Sequence, residues 1–162
     1  MIEIIAISEA HVESFHRALD TVARERRYLA FLEAPPLEAT RSFVLDMIAQ
    51  RNPQFVALSG IDVVGWCDVQ RLSRPIHAHG GVLGMGVFQP FRGQGLGTRL
   101  IRHTLDAARA AGMSRVELSV HENNANAIAL YKKVGFVIEG LQRNANKIDG
   151  VYGNVILMAL LF

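Results

Sequence analysis

Ile2-Glu3-Ile4-Ile5-Ala6-Ile7 opens the chain as an apolar, mostly β-branched run and predicts a short buried strand. Ser8 is then placed as a helix N-cap, with Glu9 in the first turn where the helix dipole favours it. Val12, Phe15, Ala18, Leu19, Val22 and Ala23 recur at helical spacing, and the pattern runs to about Arg27. Pro35-Pro36 breaks it. A second stripe, Phe43, Val44, Met47 and Ile48, ends at Asn52-Pro53. The period then changes to that of strands over 54–59, 61–71 and 80–88, with turns at Ser59-Gly60 and Ser73-Arg74-Pro75. Residues 96–111 carry the clearest helical stripe (Leu96, Leu100, Ile101, Leu105, Ala108), closed by Gly112. A strand is expected over 115–120, a short helix over 125–134 capped by Asn123 or Asn124, and strands over 136–140 and 155–161. Asp149-Gly150 supplies a turn between those last two.

Three consecutive strands point to an antiparallel half, and the later strand–helix–strand order to a parallel crossover. With no repeat, low-complexity run or linker, residues 1–162 read as one mixed α/β domain. A chain that is 50% hydrophobic with a formal net charge of +2 is not expected to be disordered. Its longest apolar stretches, such as 155–162, fall far short of the roughly 20 residues that span a bilayer. The N-terminus lacks a basic n-region and a small-residue cleavage site, so the expected address is the cytoplasm. The single cysteine, Cys67, excludes a disulfide framework and reads as a buried, inert thiol beside Trp66. His77 and His79 lie two apart on one strand face, a spacing that can bind zinc. They lack a third ligand nearby, and no metal is expected. Arginine supplies most of the basic residues, but scattered along the chain, which argues against a nucleic-acid partner.

Glycine and charge are distributed unevenly. Seven of the 14 glycines fall between Gly80 and Gly97, and residues 77–162 carry a balance of +4 against −2 for residues 1–76. The segment Arg92-Gly93-Gln94-Gly95-Leu96-Gly97 follows a strand and opens the best helix, where exposed backbone N–H groups bind phosphate. It is not a Walker A loop, because no lysine precedes Thr98. Nor is it a dinucleotide fingerprint, because Thr98 or Leu100 stands where the third glycine belongs.

The segment does resemble the pyrophosphate loop of the GNAT superfamily of acyl-CoA-dependent N-acetyltransferases, whose pattern is Arg/Gln-x-x-Gly-x-Gly/Ala. Here the pattern falls on Arg92, Gly95 and Gly97, after the strand and link Gly86-Val87-Phe88-Gln89-Pro90-Phe91. A second stretch, from Asn124 through Ala127, Leu130, Tyr131, Lys133 and Gly135 to Phe136, resembles the other GNAT signature, one strand downstream as the family requires. Residues 115–158 look closest to bacterial enzymes that acetylate small amines and free amino acids. The resemblance covers essentially the whole chain. It implies the GNAT fold, a mixed sheet of about seven strands flanked by about four helices.

It also implies a cofactor, acetyl-CoA. Its contacts would be the backbone of Met85 and Val87, the turn Arg92, Gly93, Gln94, Gly95, Leu96, Gly97 and Thr98, and Asn124 and Tyr131. Gly80, Gly81, Gly84 and Gly86 would belong to the strand beside the thioester, where small residues admit a ligand. A primary amine would attack the thioester directly, with the Val87 N–H facing the developing oxyanion. Tyr131 would act as general acid, since a phenol with a reference pKa near 10 stays protonated at neutral pH. Many GNAT enzymes carry a glutamate on the strand before the glycine loop; Gly81-Val82-Leu83-Gly84-Met85 has no carboxylate there. His79, Glu117 and His121 are the candidate bases, the last two on one strand face, with a water relay as another route. Glu33 and the apolar Phe31, in the segment between the first two helices, are candidate acceptor contacts. The expected partner is a small-molecule amine; the residues leave the oligomeric state open, and the resemblance admits a homodimer, since dimers are frequent in the family. Two other readings share the motifs: a protein N-terminal or lysine acetyltransferase, and a non-catalytic acyl-CoA-binding module.

Overall fold

The computed structural model describes every residue from Met1 to Phe162. A single sheet of seven strands runs through it in the order β1-β2-β3-β4-β5-β7-β6. The strands are β1 Ile2–Ala6, β2 Gln54–Ser59, β3 Asp62–Arg71, β4 Gly80–Val87, β5 Arg115–His121, β6 Val137–Ile148 and β7 Val151–Leu161. The helices are α1 Val12–Ala23, α2 Leu37–Ala49, α3 Leu96–Ala110 and α4 Ala125–Lys133. All neighbouring strands are antiparallel except β4 and β5. The mixed α/β architecture expected from the residues is therefore present.

Two apolar layers hold the helices to the sheet. On one face Val12, Phe15, Leu19 and Val22 of α1 and Val44 of α2 pack with Val56, Val63 and Trp66. On the other, Leu96, Leu100, Ile101 and Leu105 of α3 and Tyr131 of α4 pack with Cys67, Val69, Val116 and Leu118. Alternation along β3 sends Trp66 and Asp68 toward α1 and α2, and Cys67 and Val69 toward α3.

Two elements differ from the sequence expectation. The first helix stops at Ala23 rather than near Arg27, because Arg26 turns left-handed (φ 59°) and its guanidinium binds both oxygens of Asp149 at 3.0 and 2.6 Å. The terminal strands run longer than 136–140 and 155–161. Their added residues form a largely exposed ribbon around the Asp149-Gly150 turn, in which Leu141, Ile148, Val151 and Tyr152 are scattered among polar residues, so no regular alternation announces them. A register shift at Gln142/Asn146 is fixed by Asn154, whose Oδ1 accepts from the Asn144 N–H at 2.8 Å.

The feature that positions the site is the short pairing of β4 with β5. Only Gly80, Gly81 and Val82 lie beside Arg115, Val116 and Glu117; beyond Val82 the strands part. No helix is long and apolar enough to cross a membrane.

Candidate active site

The parted strands open a cleft of about 800 Å³ that reaches both faces of the sheet. Its floor is the free side of β4. Phe88 N–H donates to Val64 C=O and Leu72 N–H to Gly80 C=O, so the even-numbered residues of β4 pair with β3. Antiparallel alternation then turns the N–H and C=O of Leu83, Met85 and Val87 toward the gap. These include the two backbone positions expected to meet the cofactor. The Val87 carbonyl is taken by Arg92 Nε at 2.8 Å, which leaves its N–H.

At the end of the cleft stands the N-terminus of α3. Gly93 and Gly95 adopt φ of 76° and 79°, left-handed conformations that glycine accepts at least cost, and no other group lies where a Cβ would project. None of the N–H groups of Gly93, Gln94, Gly95, Leu96, Gly97 and Thr98 has an acceptor in the protein. Six successive unpaired donors at the positive end of a 15-residue helix fit a pyrophosphate. The Arg92 guanidinium binds Glu25 at 3.0 and 2.6 Å and stacks 4.7 Å from the Tyr28 ring centre, so its side chain braces the turn. Gln94 is exposed, with its amide on the Pro90 carbonyl.

Asn124 and Tyr131 enter from α4. Asn124 Oδ1 caps the helix by accepting from Ala127 N–H at 3.2 Å, while its Nδ2 makes no protein hydrogen bond. Tyr131 lines the cleft, only 8% exposed, with its ring 5.8 Å from Phe136 and no protein partner for its hydroxyl. Burial pushes its phenol above the ordinary range. Cys67 is fully buried, which pushes its thiol up and suits an inert role.

The expected bases are not brought to the cleft. His79 is exposed at the far end of β4, roughly 20 Å along the strand from Met85. Glu117 is bound by Arg115 at 3.1 Å, and Arg115 also holds Glu139. His121 Nε2 contacts the Leu29 carbonyl at 3.1 Å and ties down the segment between α1 and α2. His77 sits in a 3-10 turn instead of a strand. Of the two acceptor candidates, Phe31 lines the cleft, whereas Glu33 points outward to Arg24. The β4 glycines also serve differently from the expectation: the space at Gly86 is filled by the Trp66 indole, and that at Gly81 by Val69 and Met113.

Asp68 was missed by sequence reasoning. It lines the cleft from β3, is 9% exposed, and its Oδ1 would touch a Cβ at Gly84 at 3.6 Å. No protein group hydrogen-bonds it, and burial pushes its carboxyl up to about 7. The available signal was a lone carboxylate inside an otherwise apolar strand run, Val63–Val69.

Comparison with known proteins agrees with this geometry. Residues 9–136 match the model of the acetyltransferase (GNAT) family. The chain is 35% identical over 109 residues to the N-alpha-acetyltransferase RimI of Mycobacterium tuberculosis, covering 67% of each chain. It is 33% identical over 107 residues to the L-amino acid N-acetyltransferase AaaT of Escherichia coli, covering 65% of this chain and 66% of that one. The chain thus spans about two thirds of the length of these curated relatives. An acetyltransferase of the GNAT family from Streptococcus pneumoniae superposes with a TM-score of 0.93 over 100% of both chains at 24% identity, a likeness of fold. With a cradle fit for pyrophosphate, a buried phenol at its mouth and a family match over most of its length, the chain belongs to the GNAT family of acetyl-CoA-dependent N-acetyltransferases.

Proposed function

We propose that the chain is a cytoplasmic enzyme that acetylates the primary amine of a small molecule, an amino acid or related amine. The observation that carries this reading is the apolar lining of the acceptor side. Tyr28, Leu29, Ala30 and Phe31 line the cleft together with Phe15, Leu19 and Phe43, an apolar pocket of a kind that suits a small ligand. The segment between α1 and α2 is tied down by His121 to Leu29, Arg26 to Asp149 and His16 to Pro35. A CoA-release assay over amino acids, polyamines, aminoglycosides and peptides tests it. Turnover confined to small amines is expected; turnover confined to peptides would overturn it.

Acetyl-CoA, when bound, supplies an acetyl thioester with a thiolate leaving group. The unpaired N–H groups from Gly93 to Thr98 would hold its phosphates, and the backbone of Met85 and Val87 its acyl arm. The Val87 N–H provides a fixed donor for charge on the acyl oxygen. Tyr131 would give its phenol proton to the departing sulfur and recover one from the new amide nitrogen. Holding both reactants in one cleft supplies further acceleration.

The cradle makes its own prediction. Gly95→Ala forces a side chain into φ 79°, at a cost of about 1–2 kcal/mol, and sets a methyl before the phosphates. Calorimetric titration is expected to show acetyl-CoA binding weakened by about tenfold, with kcat at saturating donor little changed.

A further inference from the structure

We infer that Asp68, with Thr40 of the same cleft, forms the acceptor-amine site: the Asp68 carboxylate receives the substrate ammonium and takes its proton, and the substrate is an apolar primary amine with no carboxylate next to the nitrogen. This rests on the acetyltransferase reading above and narrows its small-amine substrate to amines without an adjacent carboxylate, which sets free α-amino acids aside.

The geometry comes from three elements. Thr40 and Val44 lie one turn apart on α2, and the Val44 carbonyl accepts from Gln54 Nε2 of β2 at 3.4 Å. Gln54 in turn is the direct cross-strand neighbour of Asp68, whose other neighbour is Gly84. Asp68 and Thr40 both line the cleft. The Thr40 Oγ1 is buried with no partner, the Gln54 Oε1 next to Asp68 likewise, and the Asp68 carboxylate has none either. Leaving such groups unpaired is costly, and nothing in the protein donates to them. The Thr40 hydroxyl and the Asp68 carboxylate, both of residues that line the cleft, offer acceptor oxygens to the N–H donors of a primary ammonium.

The rest of the lining defines the remainder of the substrate. Phe15, Leu19, Phe43 and Trp66 give the cleft an apolar wall. Arg92 is the one basic residue that lines the cleft, and Glu25 and the Val87 carbonyl already occupy it. A substrate carboxylate beside the amine would therefore enter an apolar space without a counter-ion. Because glycine stands at position 84, the Asp68 carboxylate lies directly over β4, two residues from Gly86 and three from the Val87 N–H. The proton balance closes. One proton passes from the ammonium to Asp68 and on to solvent; the neutral amine then bonds to the acyl carbon, and its second proton replaces the one Tyr131 gave to sulfur.

The test uses the full chain with acetyl-CoA and 2-phenylethylamine or L-phenylalanine, with CoA release, pH profiles and thermal shifts as readouts. The wild type is expected to turn over 2-phenylethylamine with kcat/KM at least tenfold above that for L-phenylalanine, on an acid limb near pH 7. Asp68→Asn is expected to lose about 100-fold or more in kcat/KM together with that limb, and to lose the thermal shift given by the amine alone. Thr40→Val is expected to raise the amine KM about 5–10-fold. Both variants should keep the thermal shift given by acetyl-CoA, which shows that they fold. The other titratable side chains lining the cleft are Tyr28 and Tyr131, with the Arg92–Glu25 pair at its edge. A limb that persists in Asp68→Asn would belong to one of these and overturn the assignment. An active wild type whose Asp68→Asn variant keeps its rate within threefold overturns it too, as does a preference for L-phenylalanine. If acetyl-CoA gives no shift with the wild type, the acetyltransferase reading itself fails.

Discussion

Tyr131→Phe is expected to lower kcat by about 100- to 10,000-fold while leaving acetyl-CoA affinity within about twofold. The substitution removes one oxygen that has no protein hydrogen-bond partner, so no buried donor or acceptor is orphaned and the fold should tolerate it. The ring keeps its packing against Phe136. What is lost is the proton for the leaving sulfur. Burial holds the phenol above its ordinary range, so it remains an acid through neutral and moderately alkaline pH, and no alkaline loss of rate below pH 10 should be traceable to it. Steady-state kinetics with saturating amine, beside calorimetric titration of acetyl-CoA, separates the two effects. A variant that keeps its kcat would remove Tyr131 from the chemistry; one that loses both kcat and donor affinity would assign the tyrosine to binding.

How far such roles could be read from sequence depends on what recorded them. Local chemistry was legible: β2 falls on the expected 54–59, and the glycine-rich turn opens α3 at Leu96, where its pattern placed it. Tyr131 was legible too, because one short helix carries both it and Asn124, and its neighbours in sequence are its neighbours in space. The acceptor side was not. It is assembled from α1, α2, β3 and the segment joining the two helices, and its members sit far apart in the chain. His79 directly precedes β4 and Glu117 lies on β5, strands that border the cleft, but strand direction puts the first at the wrong end and Arg115 claims the second. Arg92 matched the motif by its place, yet its side chain serves Glu25, 67 residues away, a contact that no local pattern encodes. Asp68 was hidden for the opposite reason. Its apolar neighbours in β3 marked it as part of a core strand, and only the parting of β4 and β5 shows that this position faces a cavity.

A buried carboxylate kept for chemistry should reduce stability, and its pH dependence has a definite sign. In the unfolded chain Asp68 titrates near its ordinary 3.8; in the fold, burial lifts it to about 7. Between these values the native state holds a proton that the unfolded state has released, so stability falls as pH rises through this window. The loss is complete above about pH 7 and amounts to roughly 4 kcal/mol at 1.36 kcal/mol per pH unit. The neutral amide of Asp68→Asn carries no such burden. The difference in unfolding free energy between Asp68→Asn and the wild type is therefore expected to be flat below about pH 4 and to grow in favour of the variant up to about pH 8. Carboxylates common to both proteins cancel from it. For a chain of this length, 1 kcal/mol moves Tm by about 2–4 °C, so the variant should gain on the order of 10 °C at pH 8 relative to its standing at pH 4. Thermal scans of the two proteins without ligand measure it directly. A pH-independent difference would mean that Asp68 is ionised at no cost, with water satisfying it. An amine added to the wild type at pH 8 should recover part of the lost stability, since an ammonium facing the carboxylate offsets the desolvation that burial imposes. The same amine should leave Asp68→Asn unshifted, and that contrast ties the cost of the buried charge to the substrate that relieves it.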